Sequence, residues 1–239
     1  MNALIIIPTY NENKNISKLL SKITNLNSKI KLNILIIDDS SPDGTAKTVK
    51  SIISLNKNIY LIKRASKMGL GSAYCTGFKW AIKNKYDYVI QMDADLSHNP
   101  NDIIPLLSNM DHYDVAIGSR YKTGVNVVNW PLRRLMLSYF ANVYARIFTG
   151  VKIHDLTGGF KCINIKAIKS INLAKIKSDG YSFQIELNYL FWNNNFKIIE
   201  VPIIFYDRTV GESKMSKKII FEAIFRVPLL RLKKIFKIK

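Results

Sequence analysis

Asp93-Ala94-Asp95 places two carboxylates one residue apart, directly after the apolar run 88–92. Two such groups at a strand end can share one hard divalent cation, and Mg²⁺ and Mn²⁺ are commonly completed by substrate phosphates. Alone, the triplet also fits an ordinary surface turn. A second acidic pair, Asp38-Asp39, closes the earlier apolar run 33–37. Four carboxylates gathered in one crevice repel one another unless a cation or ligand is there. Asp43 is different, because Ser41-Pro42-Asp43-Gly44 is good turn chemistry whatever the function. Three basic sets accompany the acids: Arg120 in Gly118-Ser119-Arg120-Tyr121, Arg133 and Arg134 with Ser138, and Arg208 with Lys214 across a glycine-containing polar loop. Guanidinium forks bind phosphate in bidentate fashion, and lysine supplies a point charge. The pattern is one of acids to hold a metal and bases to hold phosphates.

The elements that must position these groups alternate along the first half. Residues 3–7, 33–37, 59–62, 88–92 and 115–118 read as strands, and 13–24, 45–55, 71–84 and 101–108 as helices. Apolar strands alternating with helices predict an α/β fold with a mostly parallel sheet covered on both faces. Ligands of such sheets sit beyond the carboxyl ends of the strands, where Pro8 to Glu12, Asp38 to Gly44 and Asp93 to Asp95 fall. The second half is less regular. Residues 130–149 read as one helix, apolar nearly all round, 160–163 as a strand, 183–193 as a helix and 197–204 as a strand. From 214 onward the pattern is a basic amphipathic helix, interrupted or kinked at Pro228. The expected organisation is a catalytic unit over 1–213, with a nucleotide half (1–120) and an acceptor half (121–213), and then a basic arm over 214–239.

Charge separates the halves. The chain has 36 Lys and Arg against 17 Asp and Glu, a net of +19, yet residues 1–120 carry only +5 of it and residues 121–239 carry +14. An anionic partner is expected: nucleic acid, a phosphorylated ligand or an anionic membrane. Nucleic-acid binding predicts basic and aromatic residues interleaved on one face and has no need of the acidic strand ends, which argue against it. With 48% hydrophobic residues the chain can bury a sizeable core, which excludes intrinsic disorder. Two cysteines make no disulfide framework and point to a reducing compartment. Residues 1–8 are a short apolar run without a basic head or cleavage site, so no secretory leader is expected there. A spanning helix needs about 18 apolar residues; the run 219–230 has 12, broken by Glu222, Arg226 and Pro228.

Taken together, PTYNE (8–12), IDDSSPDGT (37–45), MDADLSH (92–98), GSRY (118–121), NWP (129–131), DLTGGFK (155–161) and RTVGESKM (208–215) resemble the dolichyl-phosphate mannosyltransferases. These form the polyprenyl-phosphate branch of the inverting family 2 glycosyltransferases and have a GT-A fold. The resemblance implies transfer of mannose from GDP-mannose to dolichyl or another polyprenyl phosphate with Mg²⁺ or Mn²⁺; a UDP-sugar donor of glucose or an N-acetylhexosamine is the alternative. It implies that Pro8, Tyr10, Glu12, Ile37 and Asp39 hold the base and ribose. Asp93, Ala94 and Asp95 would meet ribose, diphosphate and metal, with Ser97 a weaker third metal ligand. Arg208 and Lys214 would clamp the donor diphosphate, joined by Arg120. Arg120, Arg134 and Ser138 would take the acceptor's phosphate. Asp155 is left open between a general base and an orienting group. A phosphate acceptor also implies a peripheral protein on the cytoplasmic face of a membrane, seated by its own amphipathic segments or by a small membrane-anchoring subunit.

Overall fold

The computed structural model of the chain describes residues 1–176, 178–208 and 217–235. Runs of Ile, Leu and Val form β1 (Asn2–Thr9), β2 (Lys31–Asp38), β3 (Ile59–Lys63), β4 (Tyr88–Gln91) and β5 (Val115–Ser119). They are followed by β6 (Val127–Val128), β7 (Lys161–Asn164), β8 (Ile198–Pro202) and β9 (Phe205–Tyr206). The helices are α1 (Asn13–Thr24), α2 (Thr45–Ile53), α3 (Leu70–Lys83), α4 (Ile103–Ser108), α5 (Leu132–Thr149), α6 (Ile165–Lys169), α7 (Gly180–Asn193) and α8 (Lys217–Ile235).

Seven strands make one sheet in the order β3-β2-β1-β4-β7-β5-β8. Every neighbouring pair is parallel except the two made by β7, which runs antiparallel between β4 and β5. Successive side chains of a strand face opposite sides, and both sides are covered. Leu4 and Ile6 pack with Tyr74, Phe78 and Phe183 of α3 and α7, whereas Ala3, Ile5 and Ile7 pack with Ile16, Val49 and Ile103 of α1, α2 and α4. This double burial is why β1 reads as an unbroken apolar run. Gly77 lets α3 lie close against the sheet, since a Cβ there would stand 2.7 Å from the Ile6 side chain. Because α1 and α2 cover one face and α3 the other, the winding reverses between β1 and β4, and their carboxyl ends open a crevice there.

The second half refines the sequence pattern at three points. The strand expected over 197–204 is β8, which lies at the sheet edge and ends at Pro202; a further short strand, β9, follows beyond that span and pairs with β6 in a separate two-stranded ribbon. Proline has no N–H to give to a ladder, which suits it to an edge. The helix expected over 130–149 lies on the surface: Leu132, Met136, Phe140 and Ile147 are 69%, 49%, 58% and 66% exposed. The basic arm is seated rather than free, and its helix runs through Pro228 without interruption. Val227 of α8 is 1% exposed within the core, and the Tyr144 hydroxyl of α5 donates to the Ile224 carbonyl at 2.7 Å.

Candidate active site

The crevice between β1 and β4 gathers Pro8, Tyr10 and Glu12 from the end of β1, Asp39 from the end of β2, and Asp93, Ala94 and Asp95 from the end of β4. The acids do not form one repelling cluster. Asp38, fully buried, accepts hydrogen bonds from the Thr9 hydroxyl (3.0 Å) and from the Ser41 N–H (3.0 Å) and hydroxyl (2.6 Å), so it belongs to the turn. Asp39 pairs with Arg64 and accepts the Met68 and Gly69 N–H groups at 3.0 and 3.3 Å, tying the 64–69 loop to the crevice. The expectation of four carboxylates awaiting a cation is therefore corrected to two, Asp93 and Asp95. Ile37 also moves: its side chain is fully buried between the sheet and α3, so it can meet a ligand only through its main chain. Tyr10 remains at the crevice, with the Lys67 ammonium 4.2 Å from its ring centroid.

Around Asp93 and Asp95 the turn is held by Ser97 and Arg208, which the sequence singled out, and by His98, which it did not. His98, buried, accepts the Asp93 N–H on Nδ1 at 3.2 Å and stacks on Phe160, with Phe205 edge-on. Burial holds its pKa below that of a free imidazole, so it is neutral and fit to accept. Ser97 is 1% exposed and donates both its N–H and its hydroxyl to Asp95 Oδ1, so it acts on any cation through that carboxylate. Burial would raise the Asp95 pKa, but the Ser97 hydroxyl, with the Arg208 charge, outweighs it and keeps the group ionised. Arg208 Nη2 lies 3.5 Å from Asp95 Oδ2. The β6–β9 ribbon delivers it: the Tyr206 N–H donates to the Ser97 carbonyl and the Asp207 N–H to the Val128 carbonyl. Lys214, expected on the same loop, lies outside the described residues.

A divalent cation would meet only oxygen here. Among the described residues no group of three His, Cys, Asp or Glu side chains could hold a metal. The protein thus offers two carboxylates and an open shell, a donor set that fits Mg²⁺ or Mn²⁺ completed by phosphates.

On the other side of the crevice lies a second centre. Asp155, fully buried, accepts the Arg120 N–H at 2.9 Å, its Nε–H at 2.7 Å and its Nη2–H at 2.6 Å. Burial pushes the Asp155 carboxyl up, but the Arg120 guanidinium and its hydrogen bonds outweigh that and leave it below the usual range. A shielded carboxylate of low pKa is a poor proton acceptor; of the two roles left open for Asp155, its geometry suits orientation. Asp155 is itself placed by Glu200 of β8, which accepts the His154 and Asp155 N–H groups, each at 2.9 Å, and the Ser119 hydroxyl at 2.8 Å. Behind it, Lys161 is fully buried and donates to Asn188 at 2.8 Å, and burial lowers its pKa to about 7.

From this pair an apolar groove of about 210 Å³ runs between α5, α7 and α8. Trp130, Arg134, Ser138 and Thr157 line its polar end; Phe140, Tyr144, Ile185 and Val227 line the rest. Arg120 donates to Thr157 at 2.8 Å and faces the Trp130 ring. Tyr121 donates to Ser138 at 2.8 Å. Arg134 stacks on Trp130, 4.2 Å from its centroid, and is steered by Asp207 at 2.6 Å. Its neighbour Arg133 is exposed. Arg134 and Ser138, one turn apart on α5, thus line one groove mouth, which Arg120 reaches through Thr157 and Trp130, and Asp207 completes it by holding Arg134.

A mostly parallel sheet with a reversed winding, a D-x-D turn at its switch point and a second polar centre across the crevice make up an α/β fold of GT-A type. The family model for Glycosyl transferase family 2 matches residues 4–171, and the chain belongs to that family. The polyprenol monophosphomannose synthase of Mycolicibacterium smegmatis is 42% identical over 226 residues, 94% of this chain and 84% of that protein. The undecaprenyl-phosphate mannosyltransferase of Micrococcus luteus is 37% identical over 227 residues, 95% and 93% of the two chains. Among solved structures, mannosyl-3-phosphoglycerate synthase from Rubrobacter xylanophilus shares the fold with a TM-score of 0.71 at 16% identity, covering 100% of this chain and 76% of that one. Glucosyl-3-phosphoglycerate synthase from Mycobacterium tuberculosis, solved with Mn²⁺, UDP and phosphoglyceric acid, gives 0.69 at 14% identity, covering 98% and 78%.

Proposed function

We propose that the protein transfers mannose from GDP-mannose to a polyprenyl phosphate, with inversion at the anomeric carbon, at the cytoplasmic face of a membrane. The observation that carries this reading is the apolar groove ending in Arg134 and Ser138 beside the buried Arg120. A phosphate on a long apolar tail matches such a site, whereas a small soluble acceptor has no use for the groove. The names of the two curated mannosyltransferase relatives point the same way.

In this reading the donor lies over the β1–β4 crevice. Pro8, Tyr10, Glu12 and Asp39 hold the nucleoside, and Asp93 and Asp95 face the diphosphate, with Arg208 and Lys214 closing over it. A divalent cation held by Asp93 and Asp95 would act as a Lewis acid that neutralises the departing diphosphate. The acceptor phosphate oxygen attacks the anomeric carbon from the opposite side, and GDP leaves. Arg120 and Arg134 hold that phosphate in line, which supplies positioning rather than proton transfer. The second ionisation of a phosphate monoester falls near pH 6, so the nucleophile is ionised at neutral pH without a base. That agrees with Asp155 holding Arg120 instead of facing substrate.

The membrane supports the same assignment. Among the described residues no helix is long and apolar enough to cross a bilayer. The exposed apolar residues of α5, with Phe225 and Leu229 of α8 at 69% and 48% exposure, form a surface suited to lying in the interface. The purified protein, incubated with Mn²⁺, polyprenyl phosphate and a panel of GDP- and UDP-sugars, should give a β-mannosyl phospholipid from GDP-mannose alone. A product only from a UDP-sugar would replace the donor; no glycolipid from any donor would remove the reading.

A further inference from the structure

Several buried side chains, Gln91 and Trp130 among them, hold polar atoms without a hydrogen-bond partner, and the one that faces both Gly159 and the surroundings of Asp93 is Gln184. Gln184, on α7, is 2% exposed, yet neither its Oε1 nor its Nε2 makes a hydrogen bond. An amide left so far from water loses the hydrogen bonds it had in the unfolded chain, a penalty that native folds rarely accept without a ligand to relieve it. The Gln184 amide borders a slot opened by a missing side chain. A Cβ at Gly159 would stand 3.5 Å from Gln184 Nε2 and 3.7 Å from Asp93 Oδ2, so the glycine clears a space that both groups line. Gly159 and Asp93 are partly exposed, so the slot lies at the wall of the crevice with the Gln184 amide directly behind it. Asp93 adjoins the region assigned to the donor diphosphate; what joins a diphosphate on the reacting side is a sugar. A hexose carries vicinal hydroxyls that both donate and accept, which is what a primary amide can match.

We propose that Gln184 binds the sugar being transferred, its amide donating to one hydroxyl and accepting from another in the slot over Gly159. This rests on the transferase reading above and names the residue of that site which recognises the hexose. The apolar variant Gln184→Leu removes the unpartnered amide at nearly constant volume, so the free protein keeps or gains thermal stability while sugar recognition falls. Gly159→Ala adds one methyl at ordinary contact distances and fills the slot without disturbing the fold.

The test measures affinities of the full chain, with Mn²⁺, for GDP-mannose and for GDP, by calorimetry, in wild type and both variants. Affinity for GDP-mannose should fall tenfold or more in each variant, with GDP affinity within twofold of wild type and the Gln184→Leu Tm not lowered. Loss of GDP and GDP-mannose affinity in parallel, or no loss of either, overturns the proposal. So does a lowered Tm with unchanged GDP-mannose affinity of the folded protein, because a purely structural glutamine predicts that result. If wild type proves to use a UDP-sugar, the donor reading fails and the same comparison, with that UDP-sugar against UDP, still decides the role of Gln184.

Discussion

Two buried Asp–Arg pairs flank the crevice, and they differ in what surrounds them. Asp39–Arg64 sits in the nearly balanced half, where Arg64 also donates to Ser72 and the Gly69 carbonyl, so the pair fastens one loop against the ends of two parallel strands. Asp155–Arg120 sits in the basic half, at the end of an antiparallel insertion and at the mouth of an apolar groove, and Tyr121, Trp130 and Phe205 wall in its guanidinium. The first pair closes on itself; the second presents a fixed cation to a cavity. An ion pair taken out of water gains little net stability. The difference therefore lies in what each pair holds in place: a loop beside the β1–β4 crevice in one case, an arginine at the groove mouth in the other.

The sharpest way to break the comparison is at the donor end. Asp95→Asn removes the carboxylate that meets Arg208 and would hold the cation, and turnover should fall about a thousandfold, as when one charge-stabilising group is lost elsewhere. A similar total loss for Asp155→Asn, with acceptor affinity unchanged, would restore Asp155 as an obligatory base. The expected result differs: Asp155→Asn leaves Arg120 buried and uncompensated, lowering stability to urea by about 3–5 kcal/mol at pH 7. Because the folded Asp155 pKa is lowered, its contribution is present above about pH 4, the unfolded value, and is lost as pH falls through the folded one. The variant's stability should therefore flatten in acid where wild type falls. Lys161 acts in the opposite sense. Its folded pKa of about 7 lies below the unfolded 10.5, so it lowers stability fully below pH 7 and relieves that penalty as pH rises toward 10.5. Lys161→Met should abolish this alkaline rise in a urea-midpoint series.

The nucleotide half was the more legible of the two. Strands buried on both faces carry their apolar runs openly, and the start and end of α1 agree with the helix expected over 13–24. The strand-end motifs fell at the crevice for the same reason. What was not legible depended on contacts distant in the chain. Asp38 and Asp39 are adjacent and alike in sequence, but one caps a turn and the other pairs with Arg64, 25 residues on. β7 carries four residues of ordinary strand composition, and nothing local announces that it inserts antiparallel between β4 and β5. His98 was within reach, since it closes the MDADLSH motif; its role became visible only once Phe160 and Phe205 packed around it.

Smaller effects sharpen the acceptor side. Arg133 and Arg134 are one residue apart, yet only Arg134 stacks on Trp130 at the groove mouth. Arg134→Ala should raise KM for polyprenyl phosphate by roughly tenfold, in line with loss of one charge-assisted hydrogen bond, and Arg133→Ala should raise it less than twofold. Equal effects would move the phosphate away from the groove.

The smallest expected change concerns the seat on the membrane, and α8 permits a paired test. Deleting the segment would also uncover the core face that Val227 fills, so lost vesicle binding after truncation would not distinguish anchoring from unfolding. Point changes separate the two. Phe225 is 69% exposed and Val227 1% exposed on the same helix. Phe225→Ser should leave Tm unchanged and weaken co-sedimentation with anionic vesicles by up to about tenfold, the scale of withdrawing one aromatic side chain from an apolar environment. Val227→Ser should lower Tm, because it places an alcohol and a small void in the core, while the folded fraction binds vesicles as before. If both variants bind vesicles like wild type, α8 does not lie in the interface, and any membrane contact would have to come from α5 or from a separate subunit.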